Sequence, residues 1–168
     1  MNELTFTGTA FSFGDNINTD YLISSRRKRD SINPEELKSY IMEDIRPTFF
    51  TELGGEAAII VAGSNFGCGS AMEVAAQILV VNHIQVVLAK SFARSFFRNC
   101  INNGVLPLIA DTDGIKEGDA LQVALSSREI KLTNVSRRTT QSYPPLGGTV
   151  QEILAAGGLV AYMHRSVT

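Results

Sequence analysis

Cysteine is scarce in this sequence: Cys68 and Cys100 are the only two among 168 residues, far apart and outside any C-x-x-C pair. Two separated thiols cannot supply the thiolates that normally hold an iron–sulfur cluster. Nor do they make the framework of a secreted disulfide scaffold. Histidine is as rare, and His83 and His164 stand alone, so no zinc-binding pattern is present. The net charge of −2 gives no broad positive field for nucleic acid. Apolar runs are broken well before the ~20 residues that a membrane helix needs. The opening MNELTFTGTAFSFG lacks the basic-then-apolar order of a signal peptide. The expectation is a reduced cytoplasmic chain that binds no metal or cofactor of its own and has neither nucleic-acid nor membrane partners.

What is present is an ordinary globular composition, 44% hydrophobic and 19% charged. A chain of this length buries roughly 70% of its unfolded surface, enough for one core without staples. The expectation is therefore a single domain over 1–168. Residues 4–13 alternate apolar and small polar side chains, as a half-buried strand does. Tyr21-Leu22-Ile23 reads as a short strand and 24–32 as a polar, basic loop. Asn33-Pro34-Glu35-Glu36 is a helix start, with Asn as cap, Pro first and Glu three after the cap; the helix is expected to reach Met42. A second short helix is expected over 47–53.

Residues 57–62 are a continuous apolar run, as in a strand buried on both faces. A glycine-rich turn over 63–69, a helix over 71–82, a strand over 85–89, a helix over 91–103 and a strand over 106–110 follow. That order predicts an α/β fold with a parallel βαβ core. Beyond Asp111, 120–125 and 129–135 read as an antiparallel pair. A helix over 149–156, a break at Gly157-Gly158 and a last short element complete the chain.

The segment that carries chemistry is Gly63-Ser64-Asn65-Phe66-Gly67-Cys68-Gly69-Ser70-Ala71-Met72-Glu73. Its glycines allow a tight turn and leave room for a ligand. Ser70 is expected at the start of a helix, where backbone N–H groups and the helix dipole favour a negative oxygen. Ser70-Ala71-Met72-Glu73 also fits a capping box, in which Ser and Glu only satisfy helix donors. The residues alone leave both readings open. A dinucleotide fingerprint fails because Met72 stands where the third glycine belongs, and a G-x-S-x-G elbow is absent.

Gly63 to Ser70 resembles the loop G-x-N-F-G-C-G-S-S-R-E-H of aconitase-family small subunits, those of 3-isopropylmalate dehydratase and homoaconitase. Asp15-Asn16-Ile17-Asn18-Thr19-Asp20 resembles that family's D-x-I-x-T-D element. Lys90-Ser91-Phe92-Ala93-Arg94-Ser95-Phe96-Phe97-Arg98-Asn99 resembles its K-S-F-A-R-I-F-F-R-N segment, and Gly157-Gly158-Leu159 its C-terminal glycine pair. The resemblance implies an aconitase-type swivelling β/β/α domain that closes over a separate large subunit. That partner would carry a [4Fe-4S] cluster whose free iron binds a small hydroxy acid. It also implies that Ser70 is the base, with Gly69 and Ala71 beside the substrate.

Two departures from the pattern bear on substrate. The family's Ser-Arg after the base is Ala71-Met72 here, so a donor and an anion clamp are missing. Relatives carry I-P-A-R-Y-L in the loop that helps choose the substrate's side group. Here Ile23-Ser24-Ser25-Arg26-Arg27-Lys28-Arg29 is far more basic. A charge run is ordinarily a solvated face, but in this loop Arg26, Arg27 and Arg29 are candidate substrate contacts for an additional carboxylate. Arg94 and Arg98 share a helix face, and Phe92, Phe96 and Phe97 are expected in the core. The resulting expectation is a hydro-lyase small subunit for isopropylmalate, or for a homoaconitate-, dimethylmalate- or methylmalate-type acid. The alternative is a regulatory paralogue that has lost catalysis. A homo-oligomer of the isolated chain is compatible with either.

Overall fold

The alternating segment near the N-terminus forms β1 (Leu4–Ser12), and both halves of the fold are built on it. The computed structural model describes residues 3–166. β2 (Ala58–Val61), β3 (Ile84–Ala89) and β4 (Leu106–Ile109) run parallel to β1 on one side. β5 (Ala120–Leu125), β6 (Ile130–Asn134) and β7 (Thr139–Tyr143) continue the sheet antiparallel on the other. The strand order is β4-β3-β2-β1-β5-β6-β7. Thr9 lies at the junction, paired with Ala58 on one side and Ala120 on the other.

Strand periodicity divides the core in two, because successive side chains point to opposite faces. Ala58, Ile60 and Ala62 join the cluster that contains Leu22, Phe49, Phe66, Ile78, Leu79 and Phe96. Ile59 and Val61 join the other, with Val86, Leu88, Leu106, Leu121, Val123 and Leu132. The sheet curls, so the second cluster combines side chains of the parallel strands with those of β5 and β6. All four β2 residues are buried, hence the unbroken apolar run. Each large aliphatic side chain so buried contributes about 1.5–3 kcal/mol of transfer free energy.

α5 (Glu73–Val81) and α6 (Arg94–Asn102) are the crossover helices of the two βαβ units. α7 (Gly148–Ala156) and α8 (Leu159–Ser166) close the chain, with Gly157 at φ 88° ending α7.

Four expectations change. Residues 21–23 are not a strand: Asn18 accepts from the Asp20 N–H and starts the helical turn α1 (Thr19–Leu22). The basic stretch is not simply loop. Ser24 caps α2 (Ser25–Lys28) by accepting from the Arg27 N–H. The helix begun by Asn33 and Pro34 is α3 (Pro34–Leu37), which tightens to a 3₁₀ turn (Lys38–Tyr40) and stops before Met42, whose φ is 56°. α4 (Phe49–Leu53) follows. β7 is an addition to the expected elements, because Thr-Thr-Gln-Ser-Tyr on a solvent-facing edge has no apolar alternation to reveal it.

Candidate active site

Parallel strands end at a common edge, so the loops that follow β1, β2 and β3 meet there. Backbone bonds stitch the first two together. Asn16 N–H donates to Ser64 O (2.8 Å), Gly67 N–H to Ile17 O (2.7 Å) and Thr19 N–H to Cys68 O (2.8 Å). Asp15 accepts from the Ser64 N–H at 2.7 Å. The third loop joins through Phe66 N–H to Ser91 O (3.0 Å), Ala93 N–H to Phe66 O (2.9 Å) and Asn65 N–H to Ser91 Oγ (2.7 Å). Glycine is required at two points. A Cβ on Gly67 (φ 79°) would lie 2.2 Å from the Phe96 ring, and one on Gly69 (φ 91°) 2.4 Å from the Asn18 amide.

Ser70 follows directly and is exposed. Its carbonyl accepts from Thr19 Oγ1 at 2.9 Å, while its hydroxyl makes no hydrogen bond to another described residue. The capping-box alternative is not what the fold uses. α5 begins at Glu73, its cap position is Met72 (φ −129°, ψ 122°), and no side chain caps it. Ser70 thus stands ahead of the helix rather than at its first turn. An uncapped start leaves the first backbone donors of α5 open. Gly69 and Ala71 flank Ser70; Ala71 is exposed and Gly69 is exposed as well.

The basic run separates into distinct roles. Arg27 grips Glu43 with Nε at 2.9 Å and NH2 at 3.0 Å, and stacks 3.8 Å above the Tyr40 ring. Arg26 reaches Glu43 at 3.2 Å and Asp44 at 3.7 Å. Hydrogen bonds from Arg27, the principal cause, hold the Glu43 carboxyl below its ordinary range. Arg29 is exposed and has no ion pair among the described residues. Lys28, not singled out from the sequence, turns inward. Its Nζ lies 2.9 Å from Asp20 Oδ1 and 2.8 Å from Met72 Sδ. Hydrogen bonds from Lys28 and then Ser25 hold the Asp20 carboxyl below its usual value.

Arg94 and Arg98 lie on α6. With Phe92, Phe97 and Ile109 they line an open recess of about 280 Å³ beside the same loops. Phe96 is core; Phe92 and Phe97 are half-buried and packed edge to face. Cys68 pairs with Asn18 across the loops, and Cys100 is fully buried, its thiol pushed up by burial. The two sulfurs belong to separate environments and do not form a cluster donor set. Among the described residues no group of three His, Cys, Asp or Glu could hold a metal ion, and no helix is long and apolar enough to cross a membrane.

A family model described as the aconitase C-terminal domain matches residues 35–113. The chain is 44% identical over 158 residues to the methanogen homoaconitase small subunit of Methanocaldococcus jannaschii, covering 94% of this chain and 91% of that protein. It is 41% identical over 162 residues to the 3-isopropylmalate dehydratase small subunit of Wolinella succinogenes, covering 95% and 94%. A crystal structure of 3-isopropylmalate dehydratase from Methanocaldococcus jannaschii matches with a TM-score of 0.87 at 41% identity, over 98% of this chain and 96% of the other.

Proposed function

Because this chain belongs to the aconitase family of 3-isopropylmalate dehydratase and homoaconitase small subunits, we propose that it brings Ser70 as the base to a hydroxy acid held against a large, cluster-bearing subunit. The observation that carries this reading is the position of Ser70. It is exposed, fixed through its carbonyl by Thr19, left without a hydroxyl partner among the described residues, and relieved of any capping duty.

The reaction is reversible dehydration of a 2-hydroxy di- or tricarboxylic acid. Ser70 Oγ, as alkoxide, takes the proton from the carbon next to a carboxylate. The electron pair left behind forms the double bond as the hydroxyl departs from the neighbouring carbon. When bound by the partner, a [4Fe-4S] cluster supplies Lewis-acid assistance to that departure. The open donors at the start of α5 favour negative charge near Ser70. Gly69 and Ala71 keep its surroundings free of bulk, so that substrate can approach. Arg26, Arg27 and Arg29 form the basic rim: Glu43 fixes the first two, and Arg29 projects into solvent. The whole chain acts as one swivelling domain in the cytoplasm, and the Arg94–Arg98 recess faces the partner.

Anaerobic co-expression with the cluster-bearing subunit tests this, using a panel of hydroxy acids followed by absorbance of the unsaturated product. Ser70→Ala should lower turnover about 10²–10⁴-fold. Its stability should stay within roughly 0.5 kcal/mol of the parent, because an exposed side chain with no cap role is removed. Normal turnover by the variant would remove Ser70 from the chemistry. Absence of turnover in the parent complex across the whole panel would favour the non-catalytic reading that Ala71 and Met72 motivate.

A further inference from the structure

Among the described residues the Lys28 ammonium meets one oxygen and one sulfur. Its side chain is only 8% exposed. Burying such a charge is costly unless its hydrogens are bonded. It has three donors. One goes to Asp20 Oδ1, the oxygen that also accepts from Ser25 Oγ. Another points at Met72 Sδ, a thioether and a weak acceptor.

The location gives this meaning. Met72 lies two residues past Ser70. Asp20 directly follows Thr19, whose hydroxyl holds the Ser70 carbonyl and whose N–H holds Cys68 O. The ammonium is therefore clamped between the two chain segments that fix Ser70. Asp20 is nearly half exposed, so its charge is screened by solvent, while another face of the ammonium is covered by Met72. Methionine is unbranched and repacks readily. A carboxylate oxygen in place of the thioether would give Lys28 the acceptor it lacks.

We propose that Lys28 is a specificity-determining residue, a receptor for a carboxylate of the substrate, with Met72 as its displaceable cover. This rests on the reading of Ser70 as the catalytic base. The preferred substrate then carries a carboxylate where 3-isopropylmalate carries an isopropyl group. Arg27 does not serve this purpose, being occupied by Glu43.

Methionine-methyl ¹³C labelling of the full chain tests the proposal without turnover. The sequence has four methionines, and Met42, buried in the core, reports on the fold. Titration with tricarballylate should move the Met72 methyl signal saturably and leave Met42 still, whereas chloride at matched ionic strength should not move Met72. The response should vanish in Lys28→Met and persist in Ser70→Ala. In the assembled enzyme Lys28→Met should lower kcat/KM for a tricarboxylic hydroxy acid about 10–100-fold, the scale of one hydrogen bond between charged partners. It should lower kcat/KM for 3-isopropylmalate much less, so that the ratio of the two falls, and Lys28→Arg should retain part of the tricarboxylate preference. A motionless Met72 signal, an equal response in Lys28→Met, or an unchanged ratio of the two kcat/KM values would each overturn the proposal. Normal turnover by Ser70→Ala would instead remove the base assignment, and the Met72 titration would still decide the role of Lys28.

Discussion

Two carboxylates lie on opposite sides of β1, and they are treated differently. On the antiparallel side Asp119 is buried and receives three hydrogen bonds, all on Oδ2. It accepts from Asn134 Nδ2 and Arg137 Nε, each at 2.7 Å, and from the Lys116 N–H at 2.9 Å. Those hydrogen bonds, Arg137 foremost, bring its pKa down to about 2. On the parallel side the half-exposed Asp20 accepts from Ser25 Oγ and from Lys28 Nζ, and the lysine's other partner is a sulfur. A polar group held by several strong donors of its own chain secures the fold. One whose bonds stay open next to a loop edge is available to a ligand.

The sharpest way to test that contrast uses one glycine from each side. Gly67→Ala must force a methyl into the Phe96 ring at a left-handed backbone position. It should cost about 2–5 kcal/mol in urea unfolding, from strain and overpacking together. At Gly114, between β4 and β5, an added methyl would meet nothing within 4 Å, and φ is not positive. Gly114→Ala should therefore stay within roughly 0.5 kcal/mol. Equal losses would mean that the site loops are no more tightly specified than the β4–β5 connection.

A smaller effect separates the two acids. The Asp119 pKa is depressed from 3.8 to about 2, so its stabilising contribution is complete above about pH 4 and is lost as pH falls towards 2. Asp119→Asn should thus be markedly less stable than the parent at neutral pH, with the gap closing near pH 2. Asp20→Asn should show a smaller gap, since Asp20 is half exposed. Urea midpoints across that range measure both. A larger gap for Asp20 would reverse the contrast. The smallest effect belongs to the rim. Arg29→Ala should change KM about twofold at most, and the change should disappear at high salt, because an exposed charge acts only through a screened field. A large, salt-resistant rise in KM would place Arg29 in direct contact with substrate.

The parallel core is legible in the sequence because β2 and β3 are buried and carry nearly unbroken Ile and Val. The loop around Ser70 is legible because only glycine fits where Phe96 and Asn18 press against the backbone. The distance from Ser70 to its helix is not: a serine followed three residues later by glutamate looks like a cap, yet the helix starts at Glu73 itself. α1 and α2 are hidden because Leu22 and Ile23 are fully buried, as strand residues would be, while short-range caps by Asn18 and Ser24 set the local geometry. Lys28 is hidden for another reason. Four consecutive basic residues do not say which one turns inward, and its partner Met72 is 44 positions away.

The double pairing of β1 has a consequence for a chain still being made. This strand is synthesised first, yet it belongs at the centre of the sheet, between β2 and β5. Its outer edge waits until Leu125, the partner of Leu4, has been added. Until then its backbone donors and acceptors are open to any other strand. Such long-range pairing is slow to form, and it exposes unfinished chains to one another. A fragment ending before Ala120 would keep the Ser70 loop and the parallel strands but leave that edge uncovered, and so should associate edge to edge where the whole chain does not.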